Sequence, residues 1–341
     1  MKPFPLFPLP FLAACSLACG LASLTADSPA FASEYELLRA LPQALRADLG
    51  SGSPDEQGFI GFHKQSRTWY EAGMQRGGCW MLIDAVVAGD AKRADDAWRS
   101  IDTTFAHQID DGGFLSNPKP EATHPPTLPE RVETAFFYLQ ELGHAILVVQ
   151  ESPLESHFHT RIEALKPRIR KACDFIQAGY DGIIIKAGHT ANRMLIAAKA
   201  FGLCGVILND EVLKNSSRKL VGVALAKRDA DGVFIESGGR DSSYNAVSLL
   251  MGQVLALHTP HPELEKAMVQ SMAWERTRIL PTGEVSVQGN TRTGVGKEAF
   301  MGKPKGVNYH EVVLTFAYYG MIHKDAEALT LAEKVRTCPH P

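Results

Sequence analysis

The stretch Asp231-Gly232-Val233-Phe234-Ile235-Glu236-Ser237-Gly238-Gly239-Arg240-Asp241-Ser242-Ser243-Tyr244-Asn245 leads into an apolar run that ends at Leu257. Three signals follow one another in it. A glycine with an apolar successor marks a turn. A cluster of polar and charged side chains comes next. The last part, apolar nearly all round, reads as a buried helix.

The same order recurs along the chain. Gly58-Phe59 precedes Arg67-Thr68-Trp69-Tyr70 and a run to Val87, and Gly113-Phe114 precedes Glu130-Arg131-Val132-Glu133-Thr134 and a run to Val149. Asp181-Gly182-Ile183 precedes His189-Thr190-Ala191-Asn192-Arg193 and a run to Leu208. Gly283-Glu284-Val285 precedes Asn308-Tyr309-His310-Glu311 and a run to Ile322. Glycines 58, 113, 182, 232 and 283 are 55, 69, 50 and 51 residues apart. Such a period identifies a repeated supersecondary unit.

Between these runs, residues 90–107, 154–178, 210–227 and 262–280 have the spacing of amphipathic helices. Each unit therefore pairs an outer amphipathic helix with an apolar inner one. About five to six such hairpins, with short turn and β segments, predict an all-α fold, an incomplete (α/α) toroid. A straight solenoid is the alternative. A composition of 45% hydrophobic and 21% charged residues excludes disordered, collagen-like and coiled-coil classes. With 35 basic and 38 acidic residues, the chain lacks the basic excess that nucleic-acid binding requires.

The N-terminus reads as a targeting segment. Lys2 precedes an apolar stretch broken by Pro5, Pro8 and Pro10, and Ala30-Phe31-Ala32 is an A-x-A cleavage site. Residues 1–32 are expected to be a secretory signal, leaving one catalytic domain over 33–341 in the periplasm or outside the cell. An N-terminal membrane anchor and a lipobox at Leu12-Ala13-Ala14-Cys15 are the alternatives. No later stretch reads as apolar enough to span a membrane, so no stable insertion is expected. The remaining cysteines, Cys79, Cys173, Cys204 and Cys338, allow one or two disulfides in an oxidising compartment and form no CxxC pair.

In a toroid the inner-helix starts converge on one end. That gathers His63, Arg67, Tyr70, Arg131, His189, Asn192, Arg193, Arg240, Tyr244, Asn245, Tyr309 and His310 around one cleft, rich in cations although the chain is net acidic. Helix N-termini and focused positive charge suit an anionic ligand. Tyr244 follows Arg240 by four residues, which places both on one helix face. A guanidinium beside a phenol favours the phenolate, equipping Tyr244 for proton transfer. Arg240 pairing with Asp241 or Glu236, with Tyr244 merely packing, is the bland alternative. His189, Asn192 and Arg193 also share a face, where Asn and Arg can hold a carboxylate and a neutral His can accept a proton. For His189 an ordinary polar helix cap is the alternative. His157-Phe158-His159 and Asp110-Asp111-Gly112-Gly113 read as a solvated loop and a turn, and Gly238-Gly239 lacks the Lys-Ser/Thr of a phosphate loop.

Over roughly residues 182–257, this pattern resembles the toroid polysaccharide lyases, the alginate lyase superfamily in particular. The resemblance implies β-elimination on a uronate-containing acidic polysaccharide. Asn192 matches the family's Asn. Arg193 stands where the alginate enzymes often have His, with His189 one turn earlier. Arg240 and Tyr244 match its Arg and Tyr. Tyr244, His189, Asn192 and Arg240 are thereby implied as catalytic. Arg193, Asn245, Tyr309, His310, Arg67, Tyr70, His63, Arg131 and Glu236 are expected to bind substrate. The chemistry fits independently, because a neutralised carboxylate makes the adjacent C5 proton easier to remove. It needs no metal or organic cofactor. A glycoside hydrolase using two of Asp111, Glu130, Glu236 and Asp241 is the enzymatic rival. A periplasmic scaffold or glycan-binding module is the non-enzymatic one.

Overall fold

The computed structural model describes residues 31–47 and 49–339. The expected signal segment up to residue 30 lies outside them. Fourteen α-helices account for most of the described chain. The N-terminal segment carries α1 (Glu34–Ala40), α2 (Gln43–Arg46) and α3 (Gly61–Ser66). Five hairpins then follow in chain order: α4 (Gly77–Val87) with α5 (Ala91–Ala106), α6 (Leu128–Gln150) with α7 (Glu155–Ala178), and, after the short α8 (Tyr180–Ala187), α9 (Ala191–Ile207) with α10 (Glu211–Leu225). The last two are α11 (Ser242–His258) with α12 (Pro262–Arg276), and α13 (Tyr309–Ile322) with α14 (Ala326–Thr337). Among the described residues the one sheet is a hairpin of β1 (Ala299–Phe300) and β2 (Lys303–Pro304).

The inner helices are α4, α6, α9, α11 and α13, each packed on the next around the ring. Fifteen of the seventeen residues of α9 are buried, as expected of a helix apolar on every side. The outer helix α5 buries only one stripe, Ala94, Ala97, Trp98, Ser100, Ile101, Thr104 and Phe105, at helical spacing. α1 touches α4 and α6, while α2 touches α13 and α14, so the N-terminal segment lies across the seam of an incomplete ring.

Two turns are reused. Between inner and outer helices, Asp90, Asp210 and Asp325 cap α5, α10 and α14 with their side chains. Ahead of an inner helix, one hydrogen-bond pattern repeats. Gly112 N–H donates to Ile109 (3.0 Å) and Gly232 N–H to Asp229 (3.0 Å), with φ of 94° and 85°. Left-handed backbone and close packing both require glycine there, since a Cβ on Gly112 would stand 2.2 Å from the Lys171 carbonyl oxygen on α7. Gly58 and Gly283 make the same bond.

The third unit departs from the expected pattern. Asp181-Gly182-Ile183 lies inside α8 rather than in a turn, because an apolar Ile-rich segment continues the helix directly after α7. The first unit departs too. Arg67 is the left-handed C-cap of α3, and the inner helix begins only at Gly77. The helix Leu128–Gln150 is long and apolar enough to cross a membrane, contrary to the reading of the sequence, and is buried inside the ring as α6. The four described cysteines are free thiols, so the disulfides that the sequence allows are not formed.

Candidate active site

The site is assembled by two buried carboxylates. Glu236 stands in a tight turn, with Ser237 and Gly238 at positive φ, that zips onto residues 189–191. Its Oε1 accepts the Asn192 N–H (2.7 Å) at the start of α9, and its Oε2 accepts Arg292 Nη1 (2.7 Å). Asp241 caps α11 by accepting the Tyr244 N–H (3.1 Å). It also accepts the backbone N–H groups of Arg292 (2.9 Å) and Thr293 (2.8 Å). The two acids thus tie the starts of α9 and α11 to the loop between α12 and α13.

Arg292 is the result of this arrangement. Its guanidinium stacks 3.8 Å above the Tyr244 ring, and its Nη1 lies 3.5 Å from Asn192 Oδ1. Glu298 holds Nε (3.0 Å) and Nη2 (3.2 Å) from the other side and is itself held by Lys305 (2.5 Å). Burial alone would raise the Glu298 carboxyl. The hydrogen bonds from Arg292 and Lys305 overcome it and bring the group down to about 2. Glu236 goes the other way. Burial pushes it up to about 7 despite its bonds to Asn192 and Arg292.

These groups open into a cleft of about 920 Å³. The Tyr244 hydroxyl and the Asn192 amide nitrogen line it without a hydrogen-bond partner among the described residues. Seven Lys or Arg side chains line the cleft against five glutamates, an excess of two. Three of these cations are paired across its walls: Arg193 with Glu133 (3.1 Å), Lys186 with Glu130 (3.4 Å) and Lys119 with Glu71 (2.9 Å). The β1–β2 hairpin supplies Phe300, Lys303 and Pro304, and Lys119 from the opposite rim lies 5.3 Å over the Phe300 ring.

Of the residues implied as catalytic or expected to bind substrate, His189, Asn192, Arg193 and Tyr244 line the cleft. The others do not. Arg240 precedes α11, because Asp241 is the cap, and its guanidinium binds Asp229 (2.5 Å) and Asp231 and stacks on Trp274. It is therefore not on a helix face with Tyr244. Arg131 pairs with Asp111 (2.6 Å) and lies over Phe175. Asn245 is buried, donating to Glu275 (2.7 Å) and accepting from Ser271 (2.8 Å). Glu236 is buried behind Arg292 and holds the site rather than lining it.

His63 is buried against Gln75 (2.6 Å), and burial, with His107 and Lys119 nearby, lowers it to about 4. Tyr70 packs on His63 and Phe62, and Arg67 is exposed at the end of α3. Tyr309 packs against the core, and His310 lines a separate chamber.

Arg292 was not found in the sequence because it lies in a loop without helical register. The signal present was the polar run Gln288-Gly289-Asn290-Thr291-Arg292-Thr293, which follows the Gly283 turn as Arg240–Asn245 follows the Gly232 turn.

No family model and no curated protein matches the sequence. Solved structures match the fold. A polysaccharide lyase aligns with 78% of this chain and 37% of its own, at 12% identity and a TM-score of 0.47. The chondroitin AC lyase of Streptomyces coelicolor A3, solved with chondroitin sulphate, aligns with 93% of this chain and 47% of its own, at 13% identity and a TM-score of 0.51. The chain spans less than half the length of either enzyme. Helix order, ring and match together give the chain an α/α-toroid fold like that of the polysaccharide lyases.

Proposed function

We propose that the chain is an exported polysaccharide lyase that cleaves a uronate-containing acidic polysaccharide by β-elimination. One observation carries this reading: Arg292 stacked on Tyr244 at 3.8 Å, with Asn192 beside both, in a cleft where cations exceed carboxylates. The unpartnered Asn192 amide donates to the uronate carboxyl and stabilises the charge that develops when C5 loses its proton. The Tyr244 oxygen, beside Arg292, takes that proton. The C5–H electron pair becomes the C4=C5 double bond as the C4–O bond breaks. The same oxygen then returns the proton to the departing glycosidic oxygen, so Tyr244 ends as it began and the products are an unsaturated uronide and a new reducing end. His189 on the rim is the second candidate for the base.

A hydrolase needs two carboxylates facing each other across the scissile bond. Asp111 is ion-paired with Arg131 and does not line the cleft, Glu130 is ion-paired with Lys186 on the cleft wall, and Glu236 and Asp241 are buried and hydrogen-bonded. This favours elimination. A panel of acidic polysaccharides tests the proposal. Elimination gives an ultraviolet absorbance from the conjugated product and fails on carboxyl-reduced polymer. Reducing ends without that absorbance would show hydrolysis instead. The export part rests on Ala30-Phe31-Ala32 and predicts Ser33, the residue that caps α1, as the mature N-terminus. Intact-mass analysis of exported protein reads it, and a lipidated Cys15 terminus would overturn it.

A further inference from the structure

Beside the cleft lies a chamber of about 470 Å³, bounded by Ala47, Leu49, Gly50 and Ser51 of the N-terminal segment, Trp80 and His310. Gly50 pins that segment in place, since a Cβ there would stand 2.4 Å from the Trp80 carbonyl oxygen. Trp80 and His310 meet edge to face, their ring centres 5.4 Å apart. Met74, Arg76, Glu141 and Glu311 line both the chamber and the cleft, so the two spaces adjoin.

The charges at this junction differ from those around Tyr244. Glu141 is answered by Lys199 (3.0 Å) and His144 (3.2 Å). Arg76 donates only to the Gly73 carbonyl (2.8 Å), and its guanidinium lies 5.7 Å over Phe137. The carboxylate of Glu311 has no hydrogen-bond or ion-pair partner among the described residues, nor has Arg76 a carboxylate partner. A cation and an anion thus line one space without closing on each other. Sugar hydroxyls both donate and accept, and so satisfy such a pair. A second carboxylate would gain Arg76 but face Glu311.

We propose that this chamber is a second sugar subsite that takes an uncharged ring of the same chain, with Arg76 and Glu311 reading its hydroxyls as donor and acceptor. The inference rests on the lyase reading for the ring at Tyr244, but not for its test. Two oligosaccharide series of two to six rings serve as probes, one carrying a carboxylate on every ring and one alternating uronate with an uncharged N-acetylhexosamine. kcat/KM is followed by the product absorbance, and Kd by calorimetry on Tyr244→Phe protein. Both should improve in a step at the length that first reaches the chamber, more in the alternating series. Arg76→Gln and Glu311→Gln should each shrink that step about tenfold, the usual worth of one charge-assisted hydrogen bond. Glu311→Gln should also narrow the gap between the series. An unchanged step in both variants, or an equal step in both series, would overturn the subsite while leaving the lyase reading intact. If no oligosaccharide is eliminated, the lyase reading fails, and the calorimetric step alone decides the subsite: its loss in Arg76→Gln supports it and its persistence overturns it.

Discussion

The two ends of the inner-helix ring are both polar, but in opposite ways. At the far end, Glu34 of α1 accepts hydrogen bonds from His144 on α6 (2.8 Å), His258 on α11 (2.6 Å) and Tyr318 on α13 (2.6 Å). His144 reaches on to Glu141 (3.2 Å), which Lys199 of α9 also holds (3.0 Å). None of these side chains has a buried nitrogen or oxygen without a partner. At the cleft end, the Tyr244 hydroxyl, the Asn192 amide nitrogen and the Glu311 carboxylate have no hydrogen-bond partner among the described residues. A polar cluster that satisfies itself stitches helices together. One that leaves groups unsatisfied at a cleft is ready for a ligand.

Separating the two ends experimentally begins with the largest effect. Glu34→Ala leaves His144 and His258 without their shared carboxylate and should cost about 3–5 kcal/mol of stability, as breaking a buried ion pair does. Thermal or denaturant unfolding reads this, while the activity of the folded fraction should persist. A loss of activity without a loss of stability would break the comparison. The same cluster sets a pH window. Burial opposes the Glu34 charge, but His144 and His258 hold its carboxyl well below its ordinary 4.5, so its contribution is present above that value and fades as the group protonates in acid. Burial likewise opposes the His144 charge, yet Glu34 and Glu141 hold it above 6.5, so its contribution is full below 6.5 and fades as pH rises through the raised value. The melting temperature should be highest between about pH 4.5 and 6.5.

The next effect is smaller and belongs to the cleft end. Burial raises Glu236 to about 7, so its ionised form, the one that holds Arg292 most strongly, is reached only above that pH. kcat/KM should therefore rise through about pH 7 in the native protein and lose that limb in Glu236→Gln. A limb that survives the substitution would assign it to another group. Smallest of all is Arg240→Gln. Its ion pairs with Asp229 and Asp231 are partly exposed and outside the cleft, so stability should change by no more than about 1 kcal/mol and activity should hold. A large loss of activity at normal stability would return Arg240 to the reaction.

How much of this could be read from the sequence follows from where the information lies. The outer helices were legible because amphipathic spacing is local, and α5, α7, α10 and α12 lie within the expected segments. Asn192 and Tyr244 were legible because they stand at helix starts, which glycine turns and polar clusters announce. Arg240 was misread for an equally local reason: four-residue spacing implies a shared face only inside a helix, and Arg240 lies before the cap, Asp241, of a helix that starts at Ser242. Arg292 has no periodicity around it. The far-end cluster joins residues as much as 284 positions apart, each an isolated polar side chain in the sequence. Only the closed ring makes Glu34 and Tyr318 neighbours.

The central claim is that the unpartnered Tyr244 hydroxyl beside Arg292 transfers the proton. Tyr244→Phe removes that one oxygen and keeps the ring on which Arg292 stacks. On an acidic polysaccharide that the native protein eliminates, the rate of absorbance increase should fall by about 10²-fold or more, with melting temperature and glycan affinity close to native. A Tyr244→Phe protein that folds normally and keeps most of its elimination rate would contradict the account.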